Sequence, residues 1–339
     1  MTNIFKNTVK GFCLCLAVLL PLITHAQTNR KIIFRHPLDY HELWFGIGDD
    51  EDRARRIFRL PRPIKGLSIQ KEGHYIVAVG IEKGFVGAQL KYWVDVYLLD
   101  RKRLGAEAKN LTRGEYSQIP GAAISRNGDI VFSNLSFVIP KNGKLIRGLY
   151  LIPFREIEKP RPKAELLLQV NAGGVEWAPN GKEILYGTDW GIFHFDIQTK
   201  EVSHITKEGS SSAFSPDGEK IAFLITKSPK KIGIRTAGQR AIKYIKLEDR
   251  GLEDDPDLYV DNIMWSADGQ SIVCTIFNGF DGTYSNFAVP IGGGDAEQIF
   301  KAYLEEGLSL FEWTHTAYTV EPANRLTTLW GELKQQDLK

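Results

Sequence analysis

Short stretches in which apolar and polar residues alternate recur along the whole chain, and turn-forming residues bound each stretch. Three of them follow one another at Glu183–Thr188, Gly191–Thr199 and Glu201–Thr206. A period of two is typical of β-strands, and the short polar connections between the stretches predict hairpins. With the strand that precedes Glu183, this segment predicts four antiparallel strands in about 40 residues.

The same unit occurs several times. Five segments share a large apolar residue, a short turn that ends in Gly and an apolar strand: Ile69–Gly73, Ile124–Gly128, Trp177–Gly181, Phe214–Gly218 and Trp265–Gly269. Successive glycines are 55, 53, 37 and 51 residues apart. Repeats of this length with four strands each predict a β-propeller, in which neighbouring blades bury each other's faces.

The turn in each repeat has a chemical explanation. In Ser215-Pro216-Asp217-Gly218, the fixed φ of Pro suits the second position of a type I turn. Gly comes last, where the chain requires a positive φ to enter the returning strand. The carboxylates of these turns are therefore interpreted as turn formers rather than metal ligands.

The two ends of the chain complement each other. Lys31–Phe34, Glu42–Gly46 and Arg55–Leu60 are predicted as second, third and fourth strands without a first strand. Leu308–Trp313 is predicted as a first strand without a blade after it, so we expect it to complete the N-terminal blade. The prediction is then an all-β, six-bladed propeller of four-stranded antiparallel blades, with five or seven blades as alternatives.

The N-terminus predicts export. Lys6 and Lys10 precede an apolar run at Gly11–Thr24, which ends in small residues at Ala26. This pattern is that of a cleavable signal peptide, and the run is shorter than the ~20 residues of a membrane-spanning helix. We expect residues 1–26 to be the signal, residues 27–330 a single propeller domain and residues 331–339 a C-terminal tail, in a periplasmic or secreted protein.

Removal of the signal changes the charge and the cysteine count. The 339-residue chain has 43 basic and 41 acidic residues, and both basic residues of the signal are Lys, so the mature chain is neutral. This balance does not predict binding to nucleic acid or to an anionic membrane. Cys274 alone remains of three cysteines, so no intramolecular disulfide is expected.

The repeat resembles a known family. Ser215-Pro-Asp-Gly-Glu-Lys-Ile-Ala-Phe223 is similar to the core motif of the TolB-like, WD40-like (PD40-type) propeller repeat of bacteria, and the weaker copies match it position by position. The resemblance covers about residues 31–330 and implies a six-bladed propeller. The repeats lack the Gly-His and Trp-Asp pairs of true WD40 repeats. Because only a few residues separate the expected signal from the first strand, we expect no α/β domain like the one that precedes the propeller in TolB.

Candidate binding residues lie where the first strands and the loops that lead into them surround the propeller axis. They are Glu176, Glu312, Asp261 and Asn262. Glu176 and Glu312 precede the large apolar residue of their repeats, where the other blades have Ser, Ala or Met. A buried carboxylate requires a partner, so each either bonds to backbone at a blade junction or faces a polar channel.

No catalytic motif is found, and no metal-ligand spacing is present among the histidines. The acidic runs at residues 49–52 and 253–257 are interpreted as solvated loops, with a calcium site as the alternative. The resemblance to TolB-like propellers, together with the absence of a catalytic motif, implies a monomeric, non-enzymatic binding or scaffold module that needs no cofactor and binds a protein or another cell-envelope component. The alternative is a metal-assisted polysaccharide lyase or hydrolase with its site in the propeller channel.

Overall fold

The computed structural model describes residues 31–36, 39–47, 50–70, 74–86, 89–104, 106–116, 118–135, 147–225, 228–252, 257–301 and 310–314. In these residues, the strands form six four-stranded antiparallel sheets. The predicted fold class, an all-β propeller with six blades, is confirmed. The predicted signal peptide (residues 1–26) and C-terminal tail (residues 331–339) lie outside the described residues.

Three blades come from the N-terminal half. Blade one contains β1 (Lys31–Arg35), β2 (Glu42–Ile47) and β3 (Asp50–Arg59), and its first strand is β24 (Leu310–Thr314). Blade two contains β4 (Ile64–Ile69), β5 (Tyr75–Val86), β6 (Gln89–Asp100) and β7 (Lys109–Asn110). Blade three contains β8 (Ala122–Ile124), β9 (Ile130–Asn134), β10 (Gly148–Ile152) and β11 (Glu165–Leu168).

The other three blades follow in chain order. Blade four contains β12 (Val175–Trp177), β13 (Glu183–Thr188), β14 (Gly191–Asp196) and β15 (Val202–Thr206). Blade five contains β16 (Ser210–Phe214), β17 (Lys220–Ile225), β18 (Ser228–Thr236) and β19 (Ile242–Lys246). Blade six contains β20 (Leu258–Trp265), β21 (Ser271–Asn278), β22 (Tyr284–Pro290) and β23 (Glu297–Ile299). The short helix α1 (Phe154–Ile157) and a 3-10 turn (Glu248–Arg250) lie in connections.

The core lies between the blades. On β5, Val77 and Val79 pack against blade three, whereas Ile76 and Ala78 pack against blade one. Successive side chains of a strand point to opposite faces of its sheet, so a strand that is buried on both faces reads as one apolar run. The run Tyr75–Val79 is of this kind.

The six interblade clusters form a closed circle. Five of them join consecutive blades from one to six. The sixth joins the two ends: Ile32 and Phe34 of blade one pack with Val273 and Ala288 of blade six. Each blade is therefore covered on both faces, and stability derives from apolar burial between sheets.

The C-terminal strand pairs with the N-terminal one. β24 lies antiparallel to β1, with Lys31 opposite Thr314 and Ile32 opposite Trp313. The strand is observed at Leu310–Thr314, and the first two residues of the predicted Leu308–Trp313 lie outside the described residues.

The repeated turns have the predicted geometry. The glycines at positions 128, 181, 218 and 269 have φ between 67° and 90°. In blade five, Gly218 N donates to Ser215 O at 2.8 Å, and Lys220 N donates to Ser215 Oγ at 2.8 Å. Hydrogen bonds to the Asp217 carboxylate lower its pKa. The largest contribution comes from the Ser215 hydroxyl, and the next comes from the backbone N–H of Glu219. The fifth predicted turn glycine, Gly73, lies outside the described residues.

Candidate functional site: the upper face of the propeller

Each blade is a meander, so the beginning of its first strand and its hairpin between second and third strands lie at the same end. We call this end of the propeller the upper face, and the opposite end, which carries the repeated turns, the lower face. From blade one to blade six, the first strands of consecutive blades contact each other. The two predicted residues Asp261 and Asn262 lie on β20, the first strand of blade six.

Asp261 and Asn262 form part of a polar group at the axial end of the upper face, which we call the channel mouth. Ser211 Oγ in blade five donates to Asn262 Oδ1 at 3.3 Å. Asp261 is exposed. Burial raises the pKa of the Tyr284 hydroxyl, and the charge of Asp261 adds to this effect.

Arg35 connects blades one and two at the channel mouth. Its Nη1 donates to Ile64 O of blade two at 3.0 Å, and its guanidinium carbon lies 4.5 Å from the centre of the Tyr40 ring. Burial lowers the pKa of Arg35, whereas Tyr40, Tyr284 and Asp261 attract its charge and oppose that shift. The guanidinium therefore contacts a backbone carbonyl and an aromatic face. Arg35 is not among the residues predicted from the sequence.

Glu176 lies at the junction between blades four and five. Both carboxylate oxygens accept from Phe214 N, at 3.1 and 3.2 Å. The residue keeps some accessible surface, but protein encloses the carboxylate, and this desolvation raises the pKa of Glu176 to about 8. The hydrogen bond from Phe214 acts in the opposite direction. The observed contact is with backbone at a blade junction, one of the two arrangements expected for this residue.

The equivalent junctions explain why a carboxylate is placed there. Trp177 Nε1 donates to Ala123 O at 3.1 Å, and Trp265 Nε1 donates to Ala213 O at 3.0 Å, each across one junction. Phe214 has no indole N–H, and at its junction Glu176 of the preceding blade accepts the backbone N–H instead.

Ser68 has the same role at the junction between blades two and three. Ile124 also lacks an indole, and its backbone N–H donates to Ser68 Oγ at 3.1 Å. The junctions thus form their hydrogen bonds in two ways. Where the repeat has Trp, the indole N–H donates to a backbone carbonyl of the preceding blade, and where it has Phe or Ile, a side chain of the preceding blade accepts the backbone N–H.

Glu312 is described only in its backbone. It lies on β24 opposite Ile33 in the register of blade one. The structure brings Asp261 and Asn262 to the channel mouth. Glu176 lies further along its first strand, next to the junction tryptophan, so the predicted residues do not form one cluster in the described part of the chain.

Exposed aromatic residues on the upper face were not predicted. Trp190 lies between β13 and β14 and is 79% exposed, and Phe280 lies between β21 and β22 and is 86% exposed. Tyr40, in the corresponding connection of blade one, is 52% exposed. A large apolar residue inside a tight polar turn, outside any alternating stretch, is the sequence signal that marks both tips.

The backbones of these two tips are held in place. Trp190 N donates to Thr188 Oγ1 at 3.0 Å, and Phe280 N donates to Asn278 Oδ1 at 2.9 Å. Gly282, with φ of 75°, closes the second tip through a bond from its N to Asn278 O at 2.9 Å. The rings are therefore presented to solvent on fixed turns.

Within the described residues, no three His, Cys, Asp or Glu side chains are grouped so that they could hold a metal ion. Of the two acidic runs, residue 49 and residues 253–256 lie outside that part of the chain, and residues 50–52 are described only in their backbone, at the beginning of β3. Cys274 is fully buried, and burial raises the pKa of its thiol to about 12. No helix among the described residues is long and apolar enough to cross a membrane.

Two solved structures share the fold. One is a protein assigned as TolB from Agrobacterium tumefaciens, with a TM-score of 0.54 and 16% identity over 80% of this chain and 88% of that one. The other is the β-propeller domain of Cps50 (Swd1) from Myceliophteria thermophila, with a TM-score of 0.52 and 14% identity over 82% of this chain and 88% of that one. No protein-family model and no curated protein matches the chain. At this level of identity, the likeness concerns the fold.

Proposed function

We propose that this chain is an exported, non-catalytic binding module that uses the upper face of its propeller to bind a protein partner in the periplasm or cell envelope. The observation that carries the proposal is the pair of aromatic tips, Trp190 and Phe280, on blades four and six. Large aromatic residues are enriched in the energetically dominant part of protein interfaces.

The two tips combine exposure with fixed backbones. A partner that covers an exposed Trp or Phe buries a large apolar surface. Such burial contributes about 25 cal/mol per Å² to the free energy of binding. Since the turns of Trp190 and Phe280 are held by hydrogen bonds, little conformational entropy is lost on binding. The polar channel mouth between the blades supplies the groups that orient a ligand, with Arg35 and Asp261 among them.

The experiment compares capture of envelope proteins by three forms of the tagged mature chain. The double variant Trp190→Ala/Phe280→Ala should capture at least tenfold less of the specific partner than the wild type does. The matched control is Val202→Ala, which removes an exposed apolar side chain from the outer strand β15 instead. Equal capture by the double variant and the wild type would show that the upper face does not bind the partner.

Export is tested separately. We expect the mature protein to begin at Gln27, because the basic and apolar segments end at the small residue Ala26. Mass spectrometry of the protein isolated from cells measures its N-terminus. Retention of residues 1–26 in the folded protein would contradict the proposed export.

A further inference from the structure

The middle hairpin of blade two extends beyond its neighbouring strands. β5 and β6 have 12 residues each and pair without a register shift from Tyr75–Asp100 to Val86–Gln89. The first strand, β4, pairs with β5 only as far as Gly80, and β7 pairs with β6 only at Tyr97 and Leu98. Ile81–Val86 and Gln89–Val94 therefore form a two-stranded ribbon of roughly 20 Å on the upper face. We call it the arm.

A buried polar network ends the fourth strand early. The Asp95 carboxylate is 1% exposed, accepts from Thr112 Oγ1 at 2.9 Å and from Gly114 N, and pairs with Arg62 Nη1 at 2.6 Å. Thr112 Oγ1 also accepts from Val96 N, at 3.0 Å. The chain is thus drawn away from β6 after Asn110, and the fourth strand of blade two is observed only at Lys109–Asn110.

In the described part of the chain, no strand pairs with the outer edge of the arm beyond this network. Val96 directs its N–H and C=O to the outer side, where they bond to Thr112 and Leu111. Main-chain groups alternate in direction along a strand, so Val94 and Tyr92 face the same side. Val94 is covered, at 2% exposure, whereas Tyr92 is 46% exposed. Within the described residues, β6 has no paired strand on this side between Gln89 and Val96.

The arm is stiffened by an aromatic contact. An atom placed at the Cβ position of Gly84 would lie 2.8 Å from the Trp93 ring, so the indole covers the glycine on the neighbouring strand. An isolated two-stranded ribbon is marginally stable in water, and this contact supports the arm before any partner binds. Tyr92, on the other face of the ribbon, stays available.

We propose that the outer edge of β6 around Tyr92 accepts an extended segment of the partner protein as an added β-strand. This inference deepens the proposed function and rests on it. Alternating N–H and C=O groups on an open edge are matched by another extended main chain. The segment would place a β-branched or aromatic side chain against Tyr92, since such cross-strand pairs are favourable.

A partner's segment fits this edge better than a second copy of the chain. Two copies joined only along this short edge would bury much less than the ~1,200 Å² of a stable interface. A segment of a partner that also covers Trp190 and Phe280 gains additional area on the same face. The edge then supplies direction and register, and the aromatic tips supply most of the buried surface.

The test uses a phage-displayed library of random dodecapeptides, selected on the mature chain. We expect the selection to yield peptides that bind the wild type. Their affinity for Tyr92→Pro should be at least tenfold lower, because Pro removes the backbone N–H of residue 92 that faces the outer side. Tyr92→Ala keeps this N–H and should lose only about two- to threefold. Pro is tolerated on an open edge, and thermal unfolding of each variant checks its fold.

N-methylation of the selected peptide gives an independent readout on unaltered protein. Methylation at every second residue should abolish binding, and methylation at the intervening residues should not, because only one set of N–H groups faces the arm.

Binding that is indifferent to both Tyr92→Pro and N-methylation, or a selection without such peptides, would overturn the inference. A dimer that Tyr92→Pro dissociates would assign the edge to a second copy and overturn it too. If only the arm variants are neutral while Trp190→Ala/Phe280→Ala still abolishes capture, the proposed function stands and the added strand does not.

Discussion

The lower and upper faces of the propeller differ in how closely their loops repeat. On the lower face, Gly218 and Gly269 close their turns with the same bond to a serine carbonyl, and the serine hydroxyls contact the following aspartates. On the upper face, the corresponding connections range from the two-residue tip at Trp190 to the long arm of blade two. The face whose chemistry repeats stabilises each blade, and the variable face is free to specialise in binding.

The largest effect is expected from removal of the last strand. Deletion of all residues after Glu306 removes β24, which pairs with β1, and leaves blade one with an unpaired edge. Exposure of one blade junction costs several kcal/mol, against a typical total stability of ~5–15 kcal/mol. We expect the truncated chain to aggregate or unfold in size-exclusion chromatography and thermal melting. A soluble, cooperatively folding fragment of residues 27–306 would contradict this.

The next prediction concerns the lower face. Gly218→Val places a β-branched side chain at a φ of 77°, and we expect a loss of about 1–3 kcal/mol in the free energy of unfolding, measured by denaturant titration. Gly66→Val is the control, because Gly66 lies in β4 without a positive φ and nothing lies within 4 Å of its added Cβ. Equal losses in both variants would show that the turn conformation is not the cause.

These two faces also explain what the sequence could predict. Turn chemistry and period-two alternation are local, so they predicted six blades and the pairing partner of β24 from residues such as Gly218 and Trp313. The site depends on exposure and on contacts between distant residues. Arg35 reaches Ile64, and the exposure of Trp190 is a property of the assembled face. The short length of β7 depends on the hydrogen bond between Asp95 and Thr112. These residues are 17 positions apart, and the alternation of apolar and polar residues does not reveal their contact.

Glu176 provides a pH-dependent test of the junctions between the faces. Its pKa of about 8 in the folded protein lies above its ordinary value of 4.5, so the folded state holds a proton that the unfolded chain releases between these values. This contribution to stability is complete below about pH 4.5 and is lost as the pH rises through about 8. We expect Glu176→Gln to flatten the decline in the free energy of unfolding between pH 5 and pH 8, by on the order of 1–2 kcal/mol.

The measurement is urea unfolding at several pH values. Ser68→Ala is the matched control, because it removes the acceptor at another junction without removing a titrating group. An equally steep decline in Glu176→Gln and wild type would place the titrating group elsewhere.

The smallest effect on stability is expected on the upper face. Trp190→Ala and Phe280→Ala each remove a large aromatic side chain, yet these residues are 79% and 86% exposed and contribute little buried surface to the fold. Substitutions at such positions usually change stability by no more than about 0.5 kcal/mol, whereas truncation of a buried aromatic such as Phe223 should cost about 3–5 kcal/mol. Thermal and urea unfolding of Trp190→Ala, Phe280→Ala and Phe223→Ala measure this difference.

A loss above ~1 kcal/mol at either tip would mean that its ring supports the fold, and the case for a binding role would then weaken. Unchanged stability together with lost partner capture would separate binding from folding at the same two residues, which is the division of labour that the two faces imply.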